Sequence, residues 1–358
     1  MRNLAIPFAL AAALAAAITM NADSRAQAPS SAGLTAVAGL EVGQFTMPGR
    51  PTGCTVVIAR DGAVGGVDVR GSAPGTRETD LLNPIDTVQK VNAVVLTGGS
   101  AFGLDSATGV MRYLEQHGQG FDTAFGKVPI VPAAVLFDLN VGDPRIRPTA
   151  ECGYRAAETA SAGPVAEGNV GAGAGATVGK MFRGRGMAGM KGGVGTASAR
   201  LGDVVVAALV VVNAAGDILD WRTGTILAGA RTPDGRAFAR SVDVLRRDLE
   251  RRDAAVLPLA DEPLRATTLA VVATNVVLTK TALTKMAMMA NTGPARAINP
   301  YHTQGDGDQV IALSTGLVKR DVSLTALGAV AAEVVADAIV RAVRSARGIP
   351  GWLAVADL

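Results

Sequence analysis

A short polar run, Arg265–Thr268, leads directly into an apolar stretch that ends at Asn275. The first threonine of this stretch, Thr267, is the candidate nucleophile. A threonine hydroxyl is a weak nucleophile unless a base lies beside it, and one such base is the threonine's own α-amine once the preceding peptide bond has been cut. The bond between Ala266 and Thr267 is therefore a candidate site of self-cleavage. Thr268 is a neighbouring candidate nucleophile that sequence alone does not exclude.

A pair of carboxylates, Asp306 and Asp308, flanks a glycine at the entry to a second predicted strand. Calcium needs more oxygen ligands than these two side chains supply, and no EF-hand pattern follows them. The pair is therefore interpreted as orienting a nucleophile or an amine. An ordinary Asx turn is the structural alternative. His302, just upstream, is predicted to pack or hydrogen-bond rather than to act as a base.

The chain contains only two cysteines and two histidines. This composition argues against a cysteine-rich zinc site and a histidine-rich metal centre, so no metal and no cofactor is predicted. A Ser-His-Asp triad would have only His117 and His302 as its base, and His117 is predicted to end a helix. An exported location would permit a disulfide between Cys54 and Cys152, although their spacing does not decide it.

A glycine-rich stretch from Gly168 to Gly195 contains too few side chains to form a core by itself. It does not match a P-loop, because Ala174 and Met181 stand where glycine and serine or threonine are needed around Lys180. A dinucleotide fingerprint also fails, because no clean strand precedes the stretch and no acidic residue follows at the required distance. The stretch is therefore predicted to be a flexible lining of a site.

The chain has 358 residues, of which 49% are hydrophobic and 18% charged, as expected for a globular enzyme. Residues 1–28 combine Arg2, an apolar run and a small-x-small motif, which predicts a signal peptide and a periplasmic or secreted protein. A membrane anchor is the alternative. The remaining charge is nearly balanced and scattered, so neither nucleic-acid binding nor stable membrane association after signal removal is predicted.

Alternating apolar residues and Pro/Gly turns predict short antiparallel strands between Gly39 and Val69. The nearly continuous apolar run Val204–Val212 predicts a central strand that delivers Asn213 at its end. Helical spacing predicts helices at Thr279–Ala290 and Ser323–Ser345. Helices that bracket strands predict an α/β fold with four layers, an αββα sandwich with mainly antiparallel sheets.

Together these motifs resemble a known family, the self-cleaving aminopeptidases that include β-peptidyl aminopeptidases, L-aminopeptidase/D-esterases and nylon-oligomer hydrolases. The resemblance extends from roughly Gly33 to the C-terminus. Its motifs are Thr267–Asn275, His302-Thr303 with Asp306-Gly307-Asp308, the Gly-Ala-Gly loop ending at Lys180, and Leu201-Gly202-Asp203 before the strand that reaches Asn213.

The resemblance implies a single catalytic domain, 29–358, that cuts itself into an α chain, 29–266, and a β chain, 267–358. It implies that Thr267 is the nucleophile, that its freed amine is the base, and that Asn213 donates to the oxyanion. Lys180, Asp306 and Asp308 would tune or orient Thr267. The family needs no metal, and a homo-oligomer of αβ units is expected.

Two positions depart from the family pattern: Ala266 stands where asparagine or glycine is common, and Phe137 replaces a tyrosine that assists in some members. The resemblance implies an aminopeptidase or amidase that removes N-terminal residues from short peptides, amino-acid amides, β-peptides or ω-amino-acid oligomers. The alternatives are an acyltransferase of the ornithine acetyltransferase type and an unprocessed, non-catalytic envelope binding protein.

Overall fold

The computed structural model describes residues 33–250 and 266–358. The predicted signal peptide, 1–28, lies outside these residues. The polar, proline-broken segment 253–264, which its composition predicts to be exposed, also lies outside them. The helices are α1 (Ser106–Gln116), α2 (Ala150–Glu158), α3 (Ser241–Glu250), α4 (Lys280–Ala290), α5 (Thr292–Ala297) and α6 (Leu324–Ser345). The strands are β1 (Leu40–Thr46), β2 (Gly53–Val69), β3 (Thr76–Arg77), β4 (Lys90–Thr97), β5 (Phe121–Thr123), β6 (Gly126–Val128), β7 (Ala133–Val135), β8 (Thr177–Val178), β9 (Met190–Lys191), β10 (Gly193–Leu201), β11 (Val204–Asn213), β12 (Asp217–Leu219), β13 (Ile226–Ala228), β14 (Thr267–Val276), β15 (Ile298–Asn299) and β16 (Gln309–Val318).

The long strand β2 joins two halves of a nine-stranded sheet with the order β10-β11-β14-β16-β2-β4-β7-β3, in which β1 also pairs with β2. The end of β2 pairs with β16, whereas its beginning pairs with β1 and β4. The prediction of separate strands here was wrong. The pairing with β4 shifts register between Ile58 and Ala63, so the Asp61-Gly62 pair lies within one irregular strand rather than in a turn.

Alternation along the strands divides the interior into layers, because successive side chains point to opposite faces of a sheet. On β14, Val272 packs against α4 and α6, whereas Leu269 and Val271 face the other half of the sheet. On β2, Val57 faces this same interior, whereas Val56 packs against α1 and α2. The order of layers is therefore helix, sheet, sheet, helix, as predicted, and most strand pairs are antiparallel.

Two helices begin at a side-chain cap. Thr279 accepts a hydrogen bond from the backbone of Ala282 at the start of α4, and Ser323 accepts one from Ala326 at the start of α6. The apolar run Val128–Phe137 predicts one strand, but the observed strand is shorter. After Val128, the end of β6, only Ala133–Val135 of this run forms a strand, and it follows two prolines that lack an N–H donor.

A disulfide joins Cys54 on β2 to Cys152 on α2, with a Cα–Cα distance of 6.1 Å. It links a sheet layer to the helical layer that covers it. Within the described ranges, no helix has the length and apolar character needed to cross a membrane. The same residues contain no cluster of three or more His, Cys, Asp or Glu side chains suited to a metal ion.

Candidate active site

Three neighbouring strands bring the predicted site residues to one edge of the sheet. Asn213, the last residue of β11, is paired directly with Thr267, the first residue of β14. Strand β16 runs parallel to β14 and begins one residue after Asp308. Asp306 forms a bridge with Ala266. Long-range sheet pairing thus gathers residues that are far apart in the sequence.

The carbonyl oxygen of Ala266 accepts two hydrogen bonds. The hydroxyl of Thr267 donates to it at 2.5 Å and the backbone amide of Gly307 at 2.9 Å. The nitrogen of Ala266 donates to the carbonyl of Gly305 at 3.2 Å. Both Ala266 and Thr267 are buried. The peptide bond predicted to be cut is thus fixed on both sides, and its carbonyl is polarised by two donors.

Gly307 was not singled out from the sequence, although its place between two aspartates was visible. A Cβ atom at this position would lie 2.9 Å from Thr267 Oγ1 and 2.6 Å from the carbonyl oxygen of Ala73. Ala73 in turn donates its amide to the carbonyl of Asp306 at 2.9 Å. The segment after β2 therefore presses Gly307 against Ala266, and a residue without a side chain is needed there.

The carboxylate of Asp308 fixes the backbone that follows the candidate nucleophile. Its Oδ1 accepts a hydrogen bond from the amide of Thr268 at 2.7 Å, and its Oδ2 accepts one from the amide of His302 at 3.2 Å. The His302 ring nitrogen Nδ1 lies 3.2 Å from the same Oδ2. The His302 ring also packs against Tyr301, with 3.8 Å between the ring centroids, which agrees with the prediction of a packed residue. Asp308 orients the start of β14 without touching the hydroxyl of Thr267.

The two oxygens of Asp306 differ in their surroundings. Oδ2 accepts hydrogen bonds from the amide of Thr303 at 2.8 Å and from its hydroxyl at 2.6 Å. Oδ1 is buried and has no hydrogen-bond partner among the described residues. Burial, followed by the nearby charge of Asp308, raises the pKa of Asp306 to about 6. This carboxyl can therefore exchange a proton near neutral pH.

Lys180 reaches the site from the glycine-rich stretch. Its ammonium donates to Oδ1 of Asn213 at 2.5 Å and to the hydroxyl of Thr177 at 3.2 Å. Burial lowers the pKa of Lys180 to about 7, while the charges of Asp306 and Asp138 act in the opposite direction. The lysine and Asp306 are thus two groups of opposite sign that both titrate close to neutral pH.

The side chain of Asn213 is held at both ends. Its Oδ1 accepts from Lys180 and, at 3.0 Å, from the amide of Thr177, while its Nδ2 donates to the carbonyl of Phe137 at 3.0 Å. In this uncleaved chain the asparagine amide therefore donates to Phe137 and not to the carbonyl of Ala266. Phe137, noted in the sequence as a replaced tyrosine, contributes its backbone carbonyl.

A buried ion pair supports this side of the site. Asp138, next to Phe137, accepts from Arg50 at 2.7 Å, from the Thr52 hydroxyl at 2.6 Å and from the Gly99 amide at 2.9 Å. A Cβ atom on Gly175 would lie 2.6 Å from Oδ2 of Asp138. The glycine-rich stretch therefore packs closely on this carboxylate because glycine permits the approach. Sequence reasoning missed both Arg50 and Asp138.

Most of the stretch from Gly171 to Gly179 is buried, so the prediction of a flexible lining was wrong for this part. The ammonium of Lys191 fixes it by donating to the carbonyls of Gly173, Ala176 and Gly192 at 2.8 to 2.9 Å. Burial lowers the pKa of Lys191 to about 7. Lys191, which sequence reasoning also missed, holds the turn that positions Lys180.

The remaining candidates lie apart from the Ala266 carbonyl. His117 caps the end of α1, as predicted, where its Nδ1 lies 2.7 Å from the carbonyl of Tyr113. Thr268 points to the opposite face of β14 from Thr267. Its hydroxyl is buried and has no partner among the described residues. Of these two threonines, Thr267 is thus the one whose hydroxyl contacts the Ala266 carbonyl.

Comparison with known proteins places the chain among peptidases and related hydrolases. Residues 32–354 match the family described as peptidase family S58. An uncharacterized aminopeptidase of Mycobacterium leprae is 40% identical over 89% of this chain and 91% of its own length. A 6-aminohexanoate-oligomer endohydrolase of an Agromyces species is 32% identical over 85% of this chain and 84% of its own length.

Solved structures support the fold. The L-aminopeptidase D-Ala-esterase/amidase of Ochrobactrum anthropi, a variant of the Ntn-hydrolase fold, superposes with a TM-score of 0.66 at 22% identity, covering 92% of each chain. A β-aminopeptidase of a Burkholderia species gives a TM-score of 0.63 at 21% identity, covering 90% of this chain and 88% of its own. Because the family match spans nearly all described residues and the solved structures share the fold, this chain belongs to peptidase family S58 and is a hydrolase with the Ntn-hydrolase fold.

Proposed function

We propose that the protein is a self-processing aminopeptidase or amidase whose nucleophile is Thr267. Cleavage before Thr267 would give an α chain, 29–266, and a β chain, 267–358, that stay together in one catalytic domain. The observation that carries the proposal is the position of the Ala266 carbonyl oxygen, 2.5 Å from the Thr267 hydroxyl and 2.9 Å from the Gly307 amide. The Ala266 carbonyl oxygen is thus held between the hydroxyl proposed to attack its carbon and the amide of Gly307.

Self-cleavage begins when Oγ1 of Thr267 attacks the carbonyl carbon of Ala266, which closes a five-membered ring. Negative charge then develops on the carbonyl oxygen, where the Gly307 N–H already donates. The C–N bond breaks, the nitrogen takes the hydroxyl proton, and an ester links Ala266 to Thr267. Water hydrolyses this ester, which releases the Ala266 carboxylate and restores the threonine hydroxyl beside its free amine.

The carboxylate pair prepares a place for the new amine. Asp306 Oδ1 is buried and lacks a hydrogen-bond donor among the described residues of the uncleaved chain. The backbone bridge between Ala266 and Asp306 puts Asp306 beside the residue that precedes the bond proposed to be cut. We infer that the α-ammonium of Thr267 becomes its donor after cleavage, and that Asp308 keeps the threonine backbone in register.

Substrate hydrolysis reuses the same hydroxyl. The α-amine, with a reference pKa of ~8, accepts the hydroxyl proton as Thr267 attacks a substrate amide. The leaving amine takes that proton, and water then hydrolyses the acyl-enzyme. Asn213 and Lys180, which contact one another at 2.5 Å, are proposed to stabilise the charge on the substrate carbonyl. This role requires the Asn213 amide to leave the Phe137 carbonyl during turnover.

Mass spectrometry of the purified protein tests the processing step. The wild-type chain is expected to yield a fragment 267–358 that begins at Thr267, and Thr267→Ala is expected to stay intact. Thr268→Ala is the matched control, because it removes the neighbouring hydroxyl and is expected to cleave normally. Intact chains in a folded wild-type preparation would contradict the proposal, and cleavage lost only in Thr268→Ala would move the nucleophile by one residue.

Assays of the cleaved protein test the substrate class. Short α-peptides, amino-acid amides, β-alanyl dipeptides and 6-aminohexanoate oligomers are offered, each with and without an amine acceptor. Release of free acids supports hydrolysis, whereas transfer products in the presence of the acceptor would support the acyltransferase alternative. A cleaved protein that turns over none of them would contradict the proposed activity.

A further inference from the structure

The side chain of Ala266 lies in a small apolar cluster apart from the cores between the layers. Ala266 is 2% exposed, so its methyl group is almost fully enclosed. The cluster is built from the start of α3, the segment after Lys180 and the loops that follow β11 and β13. Its other buried members are Met181, Phe182, Ala215, Ala230, Ala239 and Val244.

The chemistry of self-cleavage relates this cluster to substrate binding. The ester formed by the N-to-O shift is an acyl-enzyme whose acyl group is residue 266. Turnover forms the same bond between Thr267 Oγ1 and a substrate carbonyl carbon, so the pocket that holds Ala266 also suits the acyl residue of a substrate. We propose that this cluster is the acyl-side specificity pocket and that the enzyme prefers L-α-amino acyl groups with small aliphatic side chains. The inference rests on the proposed function.

Three contacts fix the acyl residue. The carbonyl oxygen of Ala266 accepts from Gly307 at 2.9 Å, its nitrogen donates to Gly305 at 3.2 Å, and its methyl group lies in the cluster. An L-α-residue satisfies all three at once. A β- or ω-amino acid separates the nitrogen from the carbonyl by additional methylenes, and a D-residue exchanges the directions of hydrogen and side chain. Each is therefore expected to lose a contact.

The walls of the pocket limit both size and polarity. They are apolar, so a charged acyl side chain would be desolvated without a partner. Val244 is held in place because the first residue of its helix, Ser241, donates its amide and hydroxyl to the buried carboxylate of Asp217 at 2.7 and 2.9 Å. A larger side chain such as leucine or phenylalanine would have to displace these walls.

The substrate series measures kcat/KM of the processed wild-type enzyme for the p-nitroanilides of L-Ala, L-Leu, L-Phe, D-Ala and β-Ala. L-Ala is expected to exceed each of the others at least about tenfold, the effect of a poor fit in an apolar pocket. Val244→Ala enlarges the pocket and is expected to raise the L-Leu to L-Ala ratio about tenfold. Val110→Ala, a buried valine on α1 outside the cluster, is the matched control and should leave the ratio unchanged.

Processing provides a second readout on the same pocket. Ala266→Leu is expected to slow self-cleavage at least about tenfold, and Val244→Ala in the same chain to restore much of the rate. If wild-type protein stays uncleaved, the proposed function fails. If it cleaves and hydrolyses L-Ala p-nitroanilide but prefers L-Leu or β-Ala, or if Ala266→Leu cleaves at the wild-type rate, only the pocket assignment is overturned. Should Val244→Ala not fold, the wild-type series and Ala266→Leu decide.

Discussion

The amide of Gly307 lies 2.9 Å from the carbonyl oxygen of Ala266, whereas the side-chain amide of Asn213 lies 3.0 Å from the carbonyl oxygen of Phe137. Two donors at the same edge of the sheet therefore have different partners before cleavage. In the proposed mechanism Gly307 donates to the carbonyl of the acyl residue in both reactions, whereas Asn213 becomes available only to a substrate, after self-cleavage. Processing and turnover can thus be separated by substitution.

Removing the Gly307 amide tests this division. Gly307→Pro deletes the N–H, so self-cleavage is expected to slow by about 100-fold or more, the usual effect of losing an oxyanion donor. The time course of fragment 267–358 in freshly purified protein measures the rate. A circular dichroism spectrum and a melting curve matching those of Thr267→Ala establish that the variant is folded.

Gly307→Ala is the control for the added bulk, because it keeps the N–H and introduces a Cβ atom 2.6 Å from the Ala73 carbonyl. It is expected to cleave more slowly than wild type and faster than the proline variant.

Asn213→Asp keeps the acceptor for Lys180 but removes the donor. It should therefore cleave itself but lose activity on substrates. Equal rates in the proline and alanine variants, or an uncleaved but folded Asn213→Asp, would refute the separate roles.

Lys180 is expected to matter for activity rather than for folding. Lys180→Met removes the ammonium that holds Asn213, so kcat should fall about 100-fold in whatever cleaved enzyme is obtained. Lys280→Met is the matched control, because Lys280 is also buried but donates to carbonyls of residues 81, 86 and 88 outside the site. Similar losses of kcat in both variants would mean that Lys180 acts only through general stability.

The raised pKa of Asp306 predicts that the stability of the protein depends on pH. Its folded pKa is raised to about 6 from 3.8, so the folded chain binds more protons than the unfolded chain between these values. The unfolding free energy should therefore fall as pH rises from about 4 through 6. Asparagine does not titrate, so Asp306→Asn lacks this loss. Its unfolding free energy relative to that of its parent should therefore rise by on the order of 3 kcal/mol between pH 4 and 7.

Urea unfolding at several pH values measures this difference, with Thr267→Ala as the parent in both proteins so that neither is cleaved. Titrating groups that do not interact with Asp306 are shared and cancel in the comparison. Parallel curves for the two chains would show that burial and the charge of Asp308 do not raise the pKa of Asp306. That outcome would also remove the reason for expecting the new α-ammonium to be its partner.

The sequence predicts the layers well because local periodicity reports which faces are buried. The run Val204–Val212 and the helix Ser323–Ser345 carry complete patterns, and both elements appear within a residue of their predicted bounds. Strand β2 was broken wrongly into pieces because Asp61-Gly62 resembles a turn. In the fold this pair accommodates a register shift, and Gly66 permits the close approach of α4.

Within the site, motifs indicated the side chains but not the backbone groups. Lys180, Asn213, Asp306 and Asp308 lie near Ala266 and Thr267, and their roles in catalysis stay predictions. The Gly307 amide and the Phe137 carbonyl were missed because a backbone donor or acceptor leaves no residue type to recognise. Arg50 and Asp138 were missed because a buried ion pair between distant residues has no spacing signal.

The disulfide provides the last prediction, on stability. Cys54 and Cys152 are separated by 98 residues, and closing so long a loop is expected to stabilise the folded state by about 2 to 5 kcal/mol. The double variant Cys54→Ala/Cys152→Ala should lose this amount in urea unfolding and keep its kcat, because neither cysteine lies in the site. Reductant should destabilise the parent by a similar amount and leave the double variant unchanged.

Alkylation of the unfolded, unreduced protein followed by mass spectrometry is the direct check on the bond. A parent that takes up two alkyl groups would show free thiols and contradict the disulfide. An oxidised pair fits the exported location predicted from residues 1–28, since disulfides persist outside the reducing cytosol. If the bond forms in exported protein but not in protein retained in the cytosol, it stabilises the enzyme only in the compartment where we predict that it acts.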